Sequence, residues 1–159
     1  MSARMSEPWG RAILSSIVAL IFTALPLPPP YDSFRPQLLV LVVFYWSIAT
    51  PRAGGLTLGF AAGLALDIFQ GPVIGQHALA MSLITYIAVR EHQKIRSKPY
   101  FQQSLIALVI LFLYEFVVFS IDGWSGHPIT SPERWLHIAT GAVIWPPLAA
   151  LLGHTHNRR

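Results

Sequence analysis

The most informative segment of the chain runs from Pro51 to Gly75 and reads PRAGGLTLGFAAGLALDIFQGPVIG. It carries Gly55, Gly59 and Gly63 at four-residue spacing, followed by Asp67. Residues four apart share one face of an α-helix, so the spacing predicts a helix face without side chains that ends in a carboxylate. Within a membrane, such a face lets a second helix approach to backbone contact, from the same chain or from a partner.

The composition of the whole chain indicates a lipid environment. Of 159 residues, 53% are hydrophobic and 11% are charged, and the mean hydropathy is +0.53, whereas soluble domains average about 25% charged residues. The chain has no cysteine, which excludes disulfides, thiolate nucleophiles and thiolate metal sites. Its six histidines do not form the HExxH pattern of a zinc hydrolase. These features predict an all-α membrane protein without a metal or another cofactor.

Apolar runs separated by prolines, glycines and charged residues predict six transmembrane helices in one integral membrane domain that covers residues 1–159. Their expected bounds are about 9–25, 34–50, 53–69, 75–89, 100–121 and 132–152. Pro36 is expected in the first turn of the second helix, where proline is tolerated. Gly71 and Pro72 are expected to break the chain between the third and fourth helices, which makes that pair an antiparallel hairpin.

The sequence also predicts features at the ends of the helices. The segment from Asp122 to Glu133 is expected to form an exposed loop, and Ser131 to cap the sixth helix ahead of Pro132. Tyr45 and Trp46, near the end of the second helix, and Trp124 in the outer loop are expected to anchor at the membrane surface, where aromatic residues with polar tips are enriched.

The basic residues are distributed unequally between the two sides of this arrangement. With six spans both termini share one side, and nine of the eleven basic residues fall there: Arg4, Arg11, Arg52, Arg90, Lys94, Arg96, Lys98, Arg158 and Arg159. Arg35 and Arg134 fall on the other side. The positive-inside rule therefore predicts cytoplasmic termini, and it explains the net charge of +4 without a nucleic-acid ligand.

An ordered series of residues resembles the rod shape-determining protein MreD family of bacteria. The resemblance is best over residues 35–90, which include RPQLLVLVVFYW and GFAAGLALDIFQGPVIGQHALAMSLITYIAVR. The residues that match the family pattern are Pro36, Tyr45, Trp46, Pro51, Gly63, Asp67, Gly75 and His77, with Tyr86 following.

The resemblance implies a non-enzymatic inner-membrane component of the cell elongation machinery. Its implied partner is a membrane-anchored MreC-like protein, and beyond it a peptidoglycan polymerase and transpeptidase pair and an MreB-like filament. The family is also similar in fold to the six-helix substrate-binding subunits of energy-coupling-factor vitamin importers, a likeness that does not define a substrate.

Three ionisable residues are expected inside the bundle, namely Asp67, His77 and Glu115. A carboxylate at the centre of a spanning helix costs on the order of 3 kcal/mol, so it usually faces protein or water. We expect Asp67 and His77 to contact each other at the outer ends of their helices, with Glu115 as a third member. The spacing of these residues requires no catalytic site. The favoured function is a scaffold, and the alternative is a small-solute-binding subunit of an importer with a cavity in its outer half.

Two surfaces compete as the docking site for a partner's transmembrane helix. One is the face of Gly55, Gly59 and Gly63, and the other is the lipid-facing side of the fifth and sixth helices. We favour the second, because the glycine face is better suited to closing the bundle. Trp124 in the outer loop is a candidate partner contact.

Overall fold

The fold consists of helices that share one hydrophobic core. The structure, a computed structural model, describes residues 3–70, 73–126 and 131–157, with side chains within 8–70, 73–126 and 131–154. The helices are α1 Ala3–Ala24, α2 Leu38–Ala49, α3 Leu56–Gln70, α4 Gln76–Arg90, α5 His92–Arg96, α6 Tyr100–Trp124 and α7 Leu136–Asn157. Short 3₁₀ turns at Tyr31–Phe34 and Pro132–Trp135 precede α2 and α7. Over the described residues, the expectation of an all-α chain is confirmed.

Helix α2 is the centre of the bundle. Of its 12 residues, all but Leu38 and Ala49 are buried, and it contacts α1, α3, α4, α5 and α7. A helix that is apolar on every side forms the interior of a bundle rather than its surface. Its aromatic residues meet α7, where the Phe44 and Trp145 ring centroids are 5.0 Å apart.

The burial of α2 contradicts the expectation that Tyr45 and Trp46 anchor at the membrane surface. Trp46 is fully buried and donates its Nε1–H to Ser15 Oγ on α1 at 2.8 Å. The Tyr45 ring is also buried and packs edge to face on Trp46, with centroids 5.5 Å apart. Both rings lie in the core because neighbouring helices surround α2 at this end as well.

Helices α3 and α4 form an antiparallel hairpin that is closed through glycine. A Cβ on Gly59 would lie 2.5 Å from Thr85 Cγ2, and one on Gly63 would lie 2.5 Å from Ala78 Cα. Gly55 lies just before Leu56, the first residue of α3, where its missing side chain makes room for the Pro51 carbonyl. Helix α4 therefore covers the glycine face of α3. Gly71 and Pro72, the expected break between these helices, lie outside the described residues.

Several expected helix bounds are wrong by a few residues. Helix α1 begins at Ala3 rather than at residue 9 and continues through Pro8. Helix α2 begins at Leu38, so Pro36 precedes the helix instead of standing in its first turn. The Pro36 carbonyl accepts a hydrogen bond from the Leu38 N–H at 2.8 Å, which starts the turn into the helix.

The expected loop from Asp122 to Glu133 is also corrected. Helix α6 continues to Trp124, so Asp122 lies inside the helix and is buried, because Arg134 neutralises its charge. Ser131 has an extended backbone ahead of Pro132, but its side chain makes no capping hydrogen bond. Residues 127–130 of the expected loop lie outside the described residues.

Two helices in the described part of the chain are long and apolar enough to cross a membrane, judged by length and composition. They are Tyr100–Trp124 and Pro132–His154, whereas Pro8–Ala24 and Leu56–Gln70 are apolar but shorter. At 1.5 Å per residue, a 15-residue helix such as α3 spans about 22 Å, against about 30 Å for the hydrocarbon core. The arrangement of six spans therefore stays a prediction.

Candidate functional site

Asp67 is a buried carboxylate that α3 directs at the first turn of α4. Its Oδ1 accepts the His77 N–H at 2.8 Å, and its Oδ2 accepts the N–H groups of Gly75 at 2.9 Å and Ala78 at 3.2 Å. The first N–H groups of a helix have no partner within that helix, and they carry partial positive charge. Asp67 satisfies these groups from the neighbouring helix and so joins α3 to α4.

His77 adds a side-chain contact to the same carboxylate. Its Nδ1 lies 2.9 Å from Asp67 Oδ1. An ionised carboxylate only accepts hydrogen bonds, so this contact requires a proton on Nδ1. The His77 ring also faces Tyr114 on α6, with centroids 6.1 Å apart. The structure thus places Asp67 and His77 in direct contact, and it attaches their hairpin to α6.

Glu115 belongs to a second polar group, next to the first. Its Oε2 accepts a hydrogen bond from Gln37 Nε2 at 2.8 Å, and its Oε1 accepts one from Arg134 Nε. Arg134 Nη2 also lies 2.8 Å from Asp122 Oδ2. Arg134 therefore bridges two carboxylates of α6, and Glu115 pairs with Arg134 and Gln37 rather than with Asp67 or His77.

Gln37, Arg134 and Asp122 were not expected from the sequence as members of this polar group. A partial signal for two of them was present, because Asp122 follows Glu115 by seven residues, which is two turns along one helix face. Arg134 was one of the two basic residues expected on the side opposite to the termini. Gln37 carries no comparable signal, since its contact depends on how the chain before α2 packs against α6.

Side chains of both polar groups line one small cavity. Its volume is about 170 Å³, and its polar lining includes Gln37, Gln70, His77, Tyr114, Glu115 and Arg134. Small-molecule pockets usually enclose about 300–1,000 Å³, so this cavity is below the usual size. Among the described residues, no group of three or more His, Cys, Asp or Glu side chains could hold a metal ion. The arrangement is suited to holding helices together through neutralised polar contacts.

The segment between α1 and α2 is fastened to α7 at the same end of the bundle. Arg35 Nη1 donates to the Leu25 carbonyl at 2.5 Å, and its guanidinium lies 5.2 Å from the centre of the Phe22 ring. The Arg35 carbonyl lies 2.6 Å from His137 Nδ1 on α7. These contacts keep the basic side chain of Arg35 folded against the protein.

The remaining candidate residues lie at turns or on the surface. Pro51 follows the end of α2, and Gly75 precedes α4 with a φ of 101°, which glycine adopts readily and other residues rarely do. Tyr86 of α4 is exposed, and Trp124 at the end of α6 is 96% exposed. Trp124 is thus accessible to a partner, whereas Gly59 and Gly63 are covered by α4.

Comparisons with known proteins place the chain in a family. The family model of the rod shape-determining protein MreD matches residues 4–154. Rod shape-determining protein MreD of Haemophilus influenzae (strain ATCC 51907 / DSM 11121 / KW20 / Rd) is 27% identical over 149 residues, which cover 92% of this chain and 90% of that relative. No solved structure matches the chain. The match over nearly the whole sequence confirms the resemblance drawn from the residues, and the chain belongs to the rod shape-determining protein MreD family.

Proposed function

We propose that this protein acts in rod-shape determination as a non-enzymatic membrane scaffold that holds an MreC-like protein in position. Membership of the family supports a role in rod shape. The scaffold proposal is based on the contacts that the buried ionisable side chains make. Asp67 binds the start of α4, and Glu115 binds Arg134. These groups join helices to one another, whereas a catalytic site needs a nucleophile or base directed at a substrate.

The glycine face of α3 is already covered by α4, and this favours the outer side of α6 and α7 as the docking surface. Because α4 already packs on Gly59 and Gly63, a second helix cannot reach that face without separating the hairpin. On α6 and the turn before α7, four aromatic residues form a continuous patch, here named the aromatic face: Phe112, Phe116, Phe119 and Trp135.

The composition and exposure of the aromatic face support this proposal. The Phe112 ring centroid lies 6.3 Å from that of Phe116 and 5.6 Å from that of Trp135, and about half of the surface of Phe112 and Phe116 is exposed. Aromatic residues contribute much of the binding energy at protein interfaces. In our proposal, the transmembrane helix of an MreC-like partner lies on this face, and Trp124 contacts the periplasmic part of that partner.

The proposed location is the bacterial inner membrane, with six spans and both termini in the cytoplasm. The charges at the two ends of the bundle support it. Arg52, Arg96 and Lys98 are exposed at one end, whereas Arg35 and Arg134 at the other end are bonded to a carbonyl and to carboxylates. An excess of Lys and Arg in the loops of one side is typical of the cytoplasmic side. The side chain of Arg4, and Arg158 and Arg159, lie outside the described residues.

The solute-binding alternative receives less support. The cavity near Glu115 is about 170 Å³, and the expected likeness to importer subunits stays a prediction because no solved structure matches.

A peptidoglycan polymerase and transpeptidase pair and an MreB-like filament are proposed as indirect partners, reached through the MreC-like protein. The lipid bilayer is the remaining proposed contact.

Co-purification from native membranes tests the proposed function. The protein is extracted in mild detergent, and the proteins and small molecules that remain bound are identified by mass spectrometry. We expect an MreC-like protein in a fixed ratio to the chain. Recovery of a stoichiometric small ligand, without any other membrane protein, would replace the scaffold by the solute-binding alternative.

A further inference from the structure

A groove at the end of the bundle opposite to the polar cavity collects cationic and phenolic side chains. It has a volume of about 360 Å³ and lies where α2 ends, α6 begins and the last turns of α7 pass. Its lining includes Tyr45, Ile48, Arg96, Lys98, Tyr100 and Gln103. Under the proposed topology, this end faces the cytoplasm.

The two cations of the groove have no carboxylate partner among the described residues. Arg96 Nη1 makes one long hydrogen bond, 3.4 Å, to the Ala49 carbonyl, and neither Arg96 nor Lys98 forms an ion pair there. The nearest carboxylate along the chain, Glu91, is occupied by Lys94 Nζ at 2.6 Å. That hydrogen bond lowers the pKa of the Glu91 carboxyl below its ordinary value.

The other described carboxylates are bound or located away from this groove. Asp67 caps α4, while Glu115 and Asp122 bind Arg134 at the opposite end. Asp32 lies beside Arg35 before α2, and Glu133 accepts a hydrogen bond from Ser33 in the same region. Among the described residues, no carboxylate neutralises Arg96 or Lys98, and both side chains line the same concave, partly apolar groove.

We propose that this groove binds the phosphate of an anionic phospholipid from the surrounding leaflet, with phosphatidylglycerol as the model ligand. Arg96 and Lys98 supply the charge, and the hydroxyl groups of Tyr45 and Tyr100 supply uncharged hydrogen-bond donors. Basic pockets between helices at the cytoplasmic surface bind anionic lipid headgroups in this way. Juxtamembrane basic residues also attract anionic lipid over the zwitterionic lipids of the same membrane.

The apolar part of the groove favours a lipid over free phosphate. Ile48, Ala49 and Ala149 line it beside the charged residues. These surfaces can contact acyl chains while the headgroup lies at Arg96, an arrangement that inorganic phosphate cannot reproduce. The inference rests on the proposed membrane placement but does not require the MreC-like partner.

Native mass spectrometry tests the inference. The full chain is reconstituted in nanodiscs that contain equal parts of phosphatidylglycerol and phosphatidylethanolamine, and the lipids that stay bound after its release are identified. We expect phosphatidylglycerol to be retained preferentially by the unmodified protein. The R96Q/K98Q variant should lower that preference on the order of 30-fold, because each charged hydrogen-bond donor to the phosphate contributes roughly fivefold. The control R52Q/R90Q removes the same charge at the same end but outside the groove, and it should retain the preference.

Further measurements separate the groove from general effects of charge or folding. Arg96→Lys keeps the charge and should retain most of the preference. Equal retention by R96Q/K98Q and the unmodified protein would overturn the inference, as would an equal loss in R52Q/R90Q. Displacement of the lipid by millimolar inorganic phosphate would assign the site to free phosphate instead. Loss of an acidic protein partner from R96Q/K98Q with unchanged lipid retention would assign it to that partner and also overturn the inference.

Discussion

Asp67 shows how one side chain can fix the relative position of two helices. It accepts three backbone N–H groups at the start of α4 and contacts the His77 ring. In Asp67→Asn an amide N–H₂ group replaces one of these acceptors and faces a donor, so we expect a loss of about 2 kcal/mol in the free energy of unfolding. Thermal unfolding in mild detergent measures it. Asp32→Asn is the control, since its side chain is 64% exposed. Equal unfolding temperatures for the two variants would contradict this role of Asp67.

Arg134 is the residue whose loss should cost most at the outer end of the bundle. It pairs with both Glu115 and Asp122, and removal of one partner leaves buried charge uncompensated, which typically costs about 3–5 kcal/mol. Arg134→Gln should therefore unfold at a markedly lower temperature. The double variant E115Q/R134Q should recover part of that loss, because no charge remains at that pair. Additive effects of Glu115→Gln and Arg134→Gln would show that the two residues are not coupled.

Residue contacts could be predicted from the sequence where the partners lie close along the chain. The contact of Asp67 with His77 follows from a short connection between two helices whose facing ends carry these side chains. The contacts of Glu115 with Gln37 and Arg134 could not be predicted in this way. They join segments that are distant in sequence, and only the packing of α2, α6 and the turn before α7 brings them together.

The glycines of α3 predict a graded loss of stability when side chains are added to them. In Gly63→Ala the new Cβ meets backbone atoms of His77 and Ala78, so the two helices must move apart. Overpacking of this kind costs about 1–3 kcal/mol. Gly123→Ala on α6 is the matched control, since nothing lies within 4 Å of its Cβ. It should raise stability by about 0.5–1 kcal/mol.

The stability of both glycine variants is compared with that of the unmodified protein by the yield of monodisperse protein and by the unfolding temperature. Gly59→Ala should fall between them, because its Cβ meets the side chain of Thr85 rather than backbone. If Gly63→Ala were as stable as Gly123→Ala, the close packing of α3 on α4 would be wrong.

Periodicity gave the order of the long helices, but not their exact ends. Helix α2 starts late because the chain turns through the 3₁₀ segment Tyr31–Phe34 before it, which apolar character alone does not reveal. The sequence pattern also did not single out Gly54. A Cβ there would lie 2.1 Å from the Trp46 carbonyl carbon, yet Gly54 stands outside the four-residue spacing and before α3 begins.

The proposed topology can be measured with single cysteines, because the chain has none of its own. Ser125→Cys, just after α6, should react with a membrane-impermeant thiol reagent applied to intact cells. Ser97→Cys, between α5 and α6, should react only after the membrane is opened. This outcome follows from the unequal distribution of basic residues. Labelling of Ser97→Cys in intact cells would contradict the proposed topology.

The claim that the protein is a scaffold is tested most directly by the amount of MreC-like protein that co-purifies with variants of the aromatic face. F112A/F116A removes two exposed rings of that face, and F60A/F69A removes two exposed rings from α3. Loss of interface anchors usually costs more than 1 kcal/mol each, so F112A/F116A should retain at least about tenfold less partner per folded molecule. F60A/F69A should retain as much partner as the unmodified protein. Equal partner retention by both variants would contradict the scaffold claim. A purified protein that binds a stoichiometric small ligand and no membrane protein would also contradict it.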